Sequence, residues 1–211
     1  FIIGCWIVFF SYIICSIPFG FILTKIFLKK DIRKIGSGNI GATNVLRTGN
    51  KFLAVATLIF DVLKGYAPVI IAYQYFNDFV HLSCLSTFLG HIFPIWLQFK
   101  GGKGVATYLG ILLALSIQLS LLFMFTWLVI SLIFRYSSLS SMFAALTVFI
   151  VSSLREIANP IILSMSEKSL STNEISSDMS FILFIFFILI IFTHRKNISN
   201  LKNKTETKIK I

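Results

Sequence analysis

Charged residues, and acids above all, are scarce in this chain of 211 residues. Only 13% of its residues are charged, and 8 Asp and Glu face 19 Lys and Arg, for a formal net charge of +11. Because 56% of the residues are hydrophobic, the composition excludes an ordinary soluble domain and predicts membrane spans. In a membrane protein, excess Lys and Arg is typical of cytoplasmic loops that face anionic lipid, so membrane lipid rather than nucleic acid is the expected partner.

Cysteines and catalytic signatures are also few. Cys5, Cys15 and Cys84 lie apart in apolar surroundings and form no Cys-x-x-Cys pair, which indicates neither a disulfide framework nor a zinc site. The sequence has no Gly-x-Ser-x-Gly elbow, no His-Glu-x-x-His motif and no His-x-x-x-x-Asp motif. An acyl-enzyme intermediate therefore has no obvious nucleophile, and we expect neither a metal nor another cofactor.

Long hydrophobic runs predict an all-α integral membrane protein with about seven transmembrane helices, since about 20 apolar residues span a bilayer. The first run is too long for a signal-peptide core and lacks a cleavage pattern, so we expect it to be retained as a span. Polar interruptions at 116–120 and 135–141 divide a long apolar tract into three passes. The predicted spans are about 2–28, 52–76, 79–98, 105–117, 119–134, 139–154 and 181–193, with a polar loop at about 155–180.

The uneven distribution of charge predicts an orientation in the membrane. Residues 29–51 hold six basic residues and one acid, 99–104 hold two basic residues and no acid, and 194–211 hold six basic residues and one acid. Five of the eight acids lie in 77–81 and 155–180. The positive-inside rule places the first three segments in the cytoplasm. Seven passes with the N-terminus outside and the C-terminus cytoplasmic satisfy that placement.

The end of the last predicted span divides the chain into a polytopic membrane domain, 1–196, and a basic cytoplasmic tail, 197–211. If the last helix continues beyond this span, His194, Asn197 and Leu201 share one face at spacings of three and four. Leu201 would then face apolar surface, and the two polar side chains would point toward the other cytoplasmic loops.

Two glycine-rich loops fall in the predicted cytoplasmic segments. In IGSGNIGATN (35–44) the glycines follow a Gly-x-Gly-x-x-Gly spacing, but the preceding KKDIRK cannot be the buried strand of a dinucleotide fold. KGGKGVAT (100–107) lacks the first glycine and the Ser or Thr of a Walker loop. Either loop alone could be a plain turn between helices. Two such loops on one face, each with Lys or Arg, favour a two-phosphate site, because glycines expose backbone amides and basic side chains add charge. The predicted substrate-binding residues are Gly38, Asn39, Gly41, Thr43, Asn44, Gly101, Gly102, Gly104 and Arg195.

Charged residues also occur inside a predicted span. Asp61 and Lys64 lie three residues apart on one helical face, and intramembrane charges are costly and usually functional. The alternative is a mutually neutralising pair that fixes helix packing. His91 lies near the end of the third span, where a structural hydrogen bond is expected rather than catalysis. We treat all three residues as structural or site-supporting candidates.

The polar segments together resemble one family, the bacterial acyl-phosphate:glycerol-3-phosphate acyltransferases. The segments that carry the resemblance, in the family's order, are SGNIGATNVLR (37–47), GHIFPIWLQFKGGKGVAT (90–107) and HRKNISNL (194–201). Shorter matches are SIPFG (16–20), DVLKG (61–65) and TETK (205–208). Asn200 and Lys204 depart from the family pattern, and both lie in the tail.

The resemblance implies an enzyme of a bacterial inner membrane with its active site on the cytoplasmic side. An acyl group would move from acyl phosphate to the sn-1 hydroxyl of glycerol 3-phosphate, giving lysophosphatidic acid and phosphate in the first acylation step of phospholipid biosynthesis. A partner enzyme that makes acyl phosphate is implied as well. Because an acyl phosphate is already activated, the protein would need only to position two anions and to stabilise charge on the carbonyl oxygen.

The resemblance also implies residue roles. The catalytic residues carried over are Ser37, Arg47, Lys103, His194 and Asn197. Ser37 and the second glycine loop would hold the acyl-phosphate group, and Arg47 and Lys103 would neutralise substrate phosphates. His194 and Asn197 would hydrogen-bond and orient glycerol 3-phosphate. The family suggests a substrate phosphate as the acceptor of the hydroxyl proton, and His194 is the competing base.

Two other classes of protein fit the sequence less well. A carrier for phosphorylated solutes would have its site at the membrane midplane, on broken helices related by repeats. No repeat is visible here, the polar residues cluster toward one surface, and Asp61 and Lys64 are the only carrier-like feature. A structural membrane scaffold would leave the two glycine loops unexplained.

Overall fold

The computed structural model describes residues 2–165 and 177–209, and these ranges contain helices and loops but no strand. The chain forms two compact units, Phe1–Ser120 and Leu121–Ile211. This division does not test the predicted functional division at 196, which concerns the membrane rather than compactness.

The described part of the first unit contains six α-helices and the start of a seventh, besides three short 3-10 helices. Its helices are α1 (Ile2–Cys15), α2 (Phe19–Leu28), α3 (Ala42–Leu46), α4 (Lys51–Tyr75), α5 (Val80–Ile92) and α6 (Val105–Leu115), after which α7 (Ile117–Phe134) begins. The second unit continues with α8 (Ser137–Met165), α9 (Ser177–Thr193) and α10 (Arg195–Lys202). The break between α1 and α2 falls at Pro18, whose ring disfavours a helical conformation at the preceding residue.

The predicted membrane helices are confirmed, but the described residues contain five or six candidate spans rather than a confirmed seven. Five stretches of the described chain are long and apolar enough to cross a membrane: Ile2–Leu28, Lys51–Tyr75, Asn77–Leu97, Ile117–Phe134 and Ser137–Glu156. The pair Met179–Thr193 and Arg195–Lys202, bent by 56°, makes a sixth if it counts as one span. Helix α6 has only 11 residues, and at about 1.5 Å per residue it reaches roughly half of a 30 Å hydrocarbon core. The predicted pass at 105–117 is therefore a helix in the right place but shorter than a full span.

The predicted polar loop at 155–180 is wrong at both ends, where the structure has helix. Helix α8 continues to Met165 and α9 already begins at Ser177, while 166–176 lie outside the described residues. The prediction ended the helix where polar residues appear. Polarity marks the end of the hydrocarbon region and not the end of the helix, because a helix can project into water.

Helix α4 shows why the exterior suits lipid. Its polar residues Thr57, Asp61 and Lys64 are buried inside the first unit, whereas Phe52 is 78% exposed and Leu63 is 50% exposed. A water-soluble protein buries its apolar face and exposes its polar one. The reversed arrangement is stable where the outer medium is hydrocarbon, because backbone and side-chain polar groups must then be satisfied internally.

Glycines allow the helices of the first unit to pack closely. A Cβ at Gly65 of α4 would lie 2.4 Å from the carbonyl oxygen of Thr107, and one at Gly110 of α6 would lie 2.1 Å from that of Val62. Similarly, a Cβ at Gly90 of α5 would lie 2.5 Å from the carbonyl oxygen of Tyr12 in α1. Small residues at contact points are typical of helices that associate in a bilayer.

Candidate active site

The first loop begins with a turn that an ion pair holds. The Asp31 carboxylate accepts hydrogen bonds from the backbone N (3.0 Å), Nε (3.0 Å) and Nη2 (2.7 Å) of Arg33. These bonds lower the pKa of Asp31 to about 2. The same guanidinium lies 4.7 Å from the ring centre of Phe21. The pair is partly solvent-exposed, so it fixes the local turn and contributes little to global stability.

Asn44 organises the rest of this loop. Its side chain is buried, and Nδ2 lies within 3.1 Å of the carbonyl oxygens of Ile32, Ile35 and Asn39, to which it donates. Its Oδ1 accepts a hydrogen bond from the backbone N of Ser37 at 3.0 Å. All the polar atoms of the Asn44 side chain are therefore used by the loop itself. We revise its predicted role from substrate contact to support of the loop.

The remaining polar side chains of the first loop lie nearer to solvent. Ser37, Thr43 and Arg47 are exposed. Gly36, at φ +54°, lies under the Arg47 side chain: an added Cβ would be 2.8 Å from Arg47 Cδ. Backbone amides contribute less than predicted, because the amide of Gly41 bonds to Asn39 Oδ1 at 3.3 Å. Side chains, rather than an open row of amides, form the accessible polar surface of this loop.

The second glycine loop is bonded to the end of α5. The amide of Gly101 donates to the carbonyl of Ile92 at 3.0 Å, and the amide of Gly102 donates to the carbonyl of His91 at 3.1 Å. The prediction that these two amides are exposed for phosphate is therefore wrong. The glycines are needed for close approach instead, since an added Cβ at Gly101 would meet the His91 carbonyl oxygen at 2.2 Å.

Lys103 lies between this bonded segment and the start of α6. Its side chain is half-buried, and Gly104 follows at φ +81°, in the left-handed region that favours glycine. A Cβ at Gly104 would lie 2.6 Å from the ring of Phe88 in α5. The carbonyl of Gly104 accepts the amide of Tyr108 at 2.7 Å and so begins α6. The first amides of a helix have no partner within it, and they lie immediately after Lys103 in the chain.

A shared hydrophobic cluster brings the two loop segments together within the first unit. Its buried members are Ile32, Ile40, Val45, Leu53, Ala54 and Leu97. The first three belong to the first loop and its short helix, and Leu97 precedes the second glycine loop. This cluster packs two segments separated by about 60 residues in sequence onto one apolar core.

Asp61, Lys64 and His91 form a buried polar group below the second loop. Asp61 Oδ1 lies 2.8 Å from Lys64 Nζ, as the spacing of three on one face predicts. Lys64 Nζ also donates to the carbonyl oxygen of Ile17, at the break between α1 and α2, at 2.7 Å. His91 Nδ1 lies 3.9 Å from Asp61 Oδ1, too far for a hydrogen bond. The hydrogen bond predicted for His91 is thus absent at Nδ1 among the described residues.

In the second unit, His194 lies at a bend rather than in a continuous helix. Helix α9 ends at Thr193 and α10 begins at Arg195, with a change of direction of 56°. The His194 side chain is buried, and its Nδ1 lies 2.8 Å from the carbonyl oxygen of Ile190. Because a carbonyl only accepts hydrogen bonds, Nδ1 carries the proton. In the neutral ring Nε2 is then a hydrogen-bond acceptor.

Asn197 is oriented by an acid that the sequence analysis did not single out. Its Nδ2 donates to Glu206 Oε1 at 2.5 Å, and the same oxygen accepts from Ser138 Oγ at 3.1 Å. Asn200 Nδ2 donates to Glu206 Oε2 at 3.3 Å. Glu206 was detectable as the one acid in 194–211, a segment with six basic residues. Since a carboxylate only accepts hydrogen bonds, the side-chain NH₂ group of Asn197 must face Glu206, and Asn197 Oδ1 faces away from it.

Arg195, predicted to bind phosphate, is exposed and lies against Phe192. Its Nη1 donates to the carbonyl oxygen of Phe192 at 3.1 Å, and its guanidinium lies 4.4 Å from the ring centre of that residue. Among the described residues, no group of three or more His, Cys, Asp or Glu could hold a metal ion.

The fold defines a multi-helix integral membrane protein with basic loops. A family model described as glycerol-3-phosphate acyltransferase matches residues 5–204, and the chain belongs to this family. It is 53% identical over 201 residues to the glycerol-3-phosphate acyltransferase of Pelagibacter ubique (strain HTCC1062), covering 95% of each chain. It is 49% identical to the corresponding protein of Mesorhizobium japonicum, covering 95% of this chain and 93% of the relative.

Solved structures agree with this assignment. The chain is similar to the crystal structure of PlsY (YgiH), an integral membrane glycerol 3-phosphate acyltransferase, in its glycerol 3-phosphate form. The TM-score is 0.86 at 33% identity, covering 98% of this chain and 96% of that one. For the lysophosphatidic acid form of PlsY the TM-score is 0.82 at 34% identity, covering 97% and 94%.

Proposed function

We propose that this protein transfers an acyl group from acyl phosphate to the sn-1 hydroxyl of glycerol 3-phosphate. The products are lysophosphatidic acid and phosphate, and the reaction is the first acylation step of phospholipid biosynthesis. The observation that carries this proposal is the similarity to PlsY structures described as glycerol 3-phosphate and lysophosphatidic acid forms, with TM-scores above 0.8. The basic, exposed loops around Ser37 and Arg47 suit a substrate that carries phosphate.

An acyl-phosphate donor is consistent with the absence of recognisable nucleophile motifs from the sequence. The sequence has no acyl-thioester acyltransferase signature and no activated nucleophile. In the direct reaction, the sn-1 hydroxyl oxygen forms an ester bond to the acyl carbonyl carbon. The bond from that carbon to the phosphate oxygen breaks, and phosphate leaves with the electron pair. Catalysis then depends on positioning and on stabilising charge at the carbonyl oxygen.

The proposed site residues divide into those that touch substrate and those that shape the loops. Ser37 holds the acyl-phosphate group, Arg47 and Lys103 neutralise phosphate charge, and His194 and Asn197 orient glycerol 3-phosphate. Thr43 is exposed as well and adds a hydroxyl to the first loop. The supporting residues are Gly38, Asn39, Gly41, Asn44, Gly101, Gly102, Gly104 and Arg195, with Asp61, Lys64 and His91 below the second loop. No metal or other cofactor is required.

The hydroxyl proton has two candidate acceptors, the leaving phosphate and His194. The Nδ1–H of His194 is bonded to the Ile190 carbonyl, so neutral Nε2 can accept a proton. General-base catalysis contributes about 10²–10⁴-fold. If His194 is the base, His194→Gln should lower kcat by at least about 10²-fold with little change in KM. A change confined to KM would assign the proton to phosphate and leave His194 an orienting role.

For topology, we propose seven passes in a bacterial inner membrane, with the N-terminus outside and the site on the cytoplasmic side. The short α6 and the bent pair α9–α10 complete the count, residues 1–196 form the acyltransferase domain, and 197–211 form a cytoplasmic tail. Single cysteines at Asn50, Lys100 and Asn203, in a background without native cysteines, should be labelled only from the cytoplasmic side. Labelling of Lys100→Cys from outside intact cells would contradict this arrangement.

Purified protein with synthetic acyl phosphate and glycerol 3-phosphate tests the reaction. We expect release of phosphate and 1-acyl product, no turnover with acyl-CoA, and no effect of EDTA. A partner enzyme that supplies acyl phosphate follows from the same donor. Equal rates with acyl-CoA, or acylation at the sn-2 hydroxyl, would reject the proposed donor or the proposed position.

A further inference from the structure

The second glycine loop rests on two side chains of α5, Phe88 and His91, which lie almost one turn apart. We call these two side chains the loop support. A Cβ added at Gly102 would lie only 2.1 Å from His91 Nε2, and one at Gly104 would lie 2.6 Å from the Phe88 ring. Both support residues are almost completely buried. The imidazole edge is therefore packed directly against the backbone of Gly102, next to Lys103.

The other side of the imidazole faces a buried ion pair. His91 Nδ1 lies 3.9 Å from Asp61 Oδ1, which in turn lies 2.8 Å from Lys64 Nζ. Lys64 Nζ is bonded to the Ile17 carbonyl in the break of the first span. These groups thus connect the break between α1 and α2, through α4 and α5, to the loop that carries the proposed phosphate ligand. The step from Asp61 to His91, at 3.9 Å, is a close approach and not a hydrogen bond.

Helix packing alone explains this arrangement poorly. A buried pair of opposite charges is often matched or exceeded in stability by apolar residues of similar volume. A histidine with an unsatisfied ring nitrogen is likewise a costly way to fill space in a protein interior. What the imidazole provides, and an aliphatic side chain does not, is a thin flat ring that fits under Gly102 at a fixed height, with a polar edge toward Asp61.

We propose that His91 is a positioning residue for the acyltransferase reaction. Its ring sets the conformation of loop 101–104 and thereby the place of the Lys103 ammonium, and the Asp61–Lys64 pair holds the ring in orientation. This inference rests on the proposed function for the role of Lys103. It assigns no contact between His91 and substrate.

A double-mutant cycle at the contact provides the test. Gly102→Ala places a methyl group where the ring lies, and His91→Ala removes the ring and leaves space for that methyl group. We expect each single variant to raise KM for glycerol 3-phosphate at least tenfold. The double variant should recover at least about threefold relative to the product of the two single effects, because residues in contact are coupled. Independent, multiplicative effects would overturn the proposal.

Two controls, the thermal midpoint of each variant and a second histidine on the same helix, distinguish a positioning role of His91 from an effect on folding. His81→Ala, on the same helix but away from the loop, should leave KM unchanged, whereas His91→Asn, which keeps a flat polar group, should retain more activity than His91→Ala. The detergent-solubilised variants should keep a thermal midpoint near that of wild type. If the His91 variants that fold have the same KM as wild type, His91 is only a packing residue and the proposal fails.

The ion pair is tested by removing both charges together. Asp61→Asn combined with Lys64→Met keeps similar volumes without leaving an unpaired buried charge. We expect a rise in KM of about threefold or more, and an unchanged KM would remove the pair from the proposal. All variants are measured with the donor that wild type uses. If wild type turns over acyl-CoA and not acyl phosphate, the proposed donor is wrong. The double-mutant cycle still measures the coupling between His91 and Gly102 in that case.

Discussion

The contact between Asn197 and Glu206 gives the sharpest prediction. Replacing Asn197 by Asp changes one NH₂ group to an oxygen and leaves the shape almost unchanged. In the native protein this NH₂ donates to Glu206 Oε1 at 2.5 Å. In the variant, two carboxylates face each other across the same distance. We therefore expect Asn197→Asp to release α10 from the tail segment that carries Glu206.

The magnitude follows from two contributions. A hydrogen bond to a charged group contributes about 1.5–3 kcal/mol. Two unit charges about 3 Å apart repel by roughly 1.4–5.5 kcal/mol for effective dielectric constants between about 80 and 20. Glu206 is only half-buried, which favours the lower part of both ranges. A combined cost of about 3–5 kcal/mol corresponds to local opening on the order of a hundredfold or more frequent.

Trypsin cleavage after Lys196, inside α10, reports this opening without depending on substrate. When opening is fast relative to cleavage, the cleavage rate follows the population of the open form. We expect Asn197→Asp to be cleaved on the order of a hundredfold faster than wild type. Asn203→Asp adds the same charge at an exposed position and should change the rate by less than about threefold.

A compensating variant decides the cause. In Asn197→Asp combined with Glu206→Gln, donor and acceptor exchange places, so the hydrogen bond can form again without repulsion. This double variant should be cleaved at least about tenfold more slowly than Asn197→Asp alone. If the double variant is cleaved as fast as the single one, or if Asn197→Asp behaves as wild type, Glu206 does not hold α10 and the reasoning is refuted.

Three further predictions concern the first unit. Lys103→Arg should insert and fold but lose most activity, because a planar guanidinium fits a tight loop poorly. Lys103→Ala should lose more, on the order of tenfold to a few hundredfold in rate, because a charge-assisted contact contributes about 1.5–3 kcal/mol. Steady-state kinetics at matched expression checks both variants. Asn44→Asp should lower the thermal midpoint and the activity together, because a carboxylate would face three carbonyl oxygens. The Arg33 guanidinium lowers the pKa of Asp31 from 3.8 to about 2, so the contribution of this pair is complete above pH 3.8 and is lost as pH falls toward 2. A small difference in thermal midpoint between wild type and Asp31→Asn should therefore be present at pH 5 and vanish near pH 2.

Hydrophobicity made the positions of the helices predictable. The predicted passes at 52–76 and 119–134 lie within two residues of α4 and α7 at each end. In a bilayer the length and the composition of a span are fixed by one physical requirement, the satisfaction of backbone polar groups inside hydrocarbon. The span count was harder, because α6 is apolar but too short and α9–α10 bends at His194. Hydropathy locates the short α6 but does not show whether it crosses the membrane, and it carries no information on the bend at His194.

The use of individual polar groups was not predictable from the sequence. Glycine spacing suggested exposed amides, but the same residue is required wherever a carbonyl or a ring approaches the backbone, as His91 approaches Gly102. Asn44 and Glu206 depend on partners that are brought close only by folding. A single sequence shows which groups can donate or accept, whereas the choice of partner depends on distances between segments.

The site residues therefore fall into two groups with different expected phenotypes. Asn44, Gly102 and Glu206 have their polar groups or their surrounding space taken up by the protein, so their replacement should alter loop or tail structure first and activity as a consequence. Ser37 and Arg47 are exposed, and their replacement should reduce activity while leaving the thermal midpoint nearly unchanged. Because the proposed reaction uses the substrate hydroxyl and no nucleophile of the protein, the geometry held by the first group is expected to be as necessary to catalysis as the charges of the second.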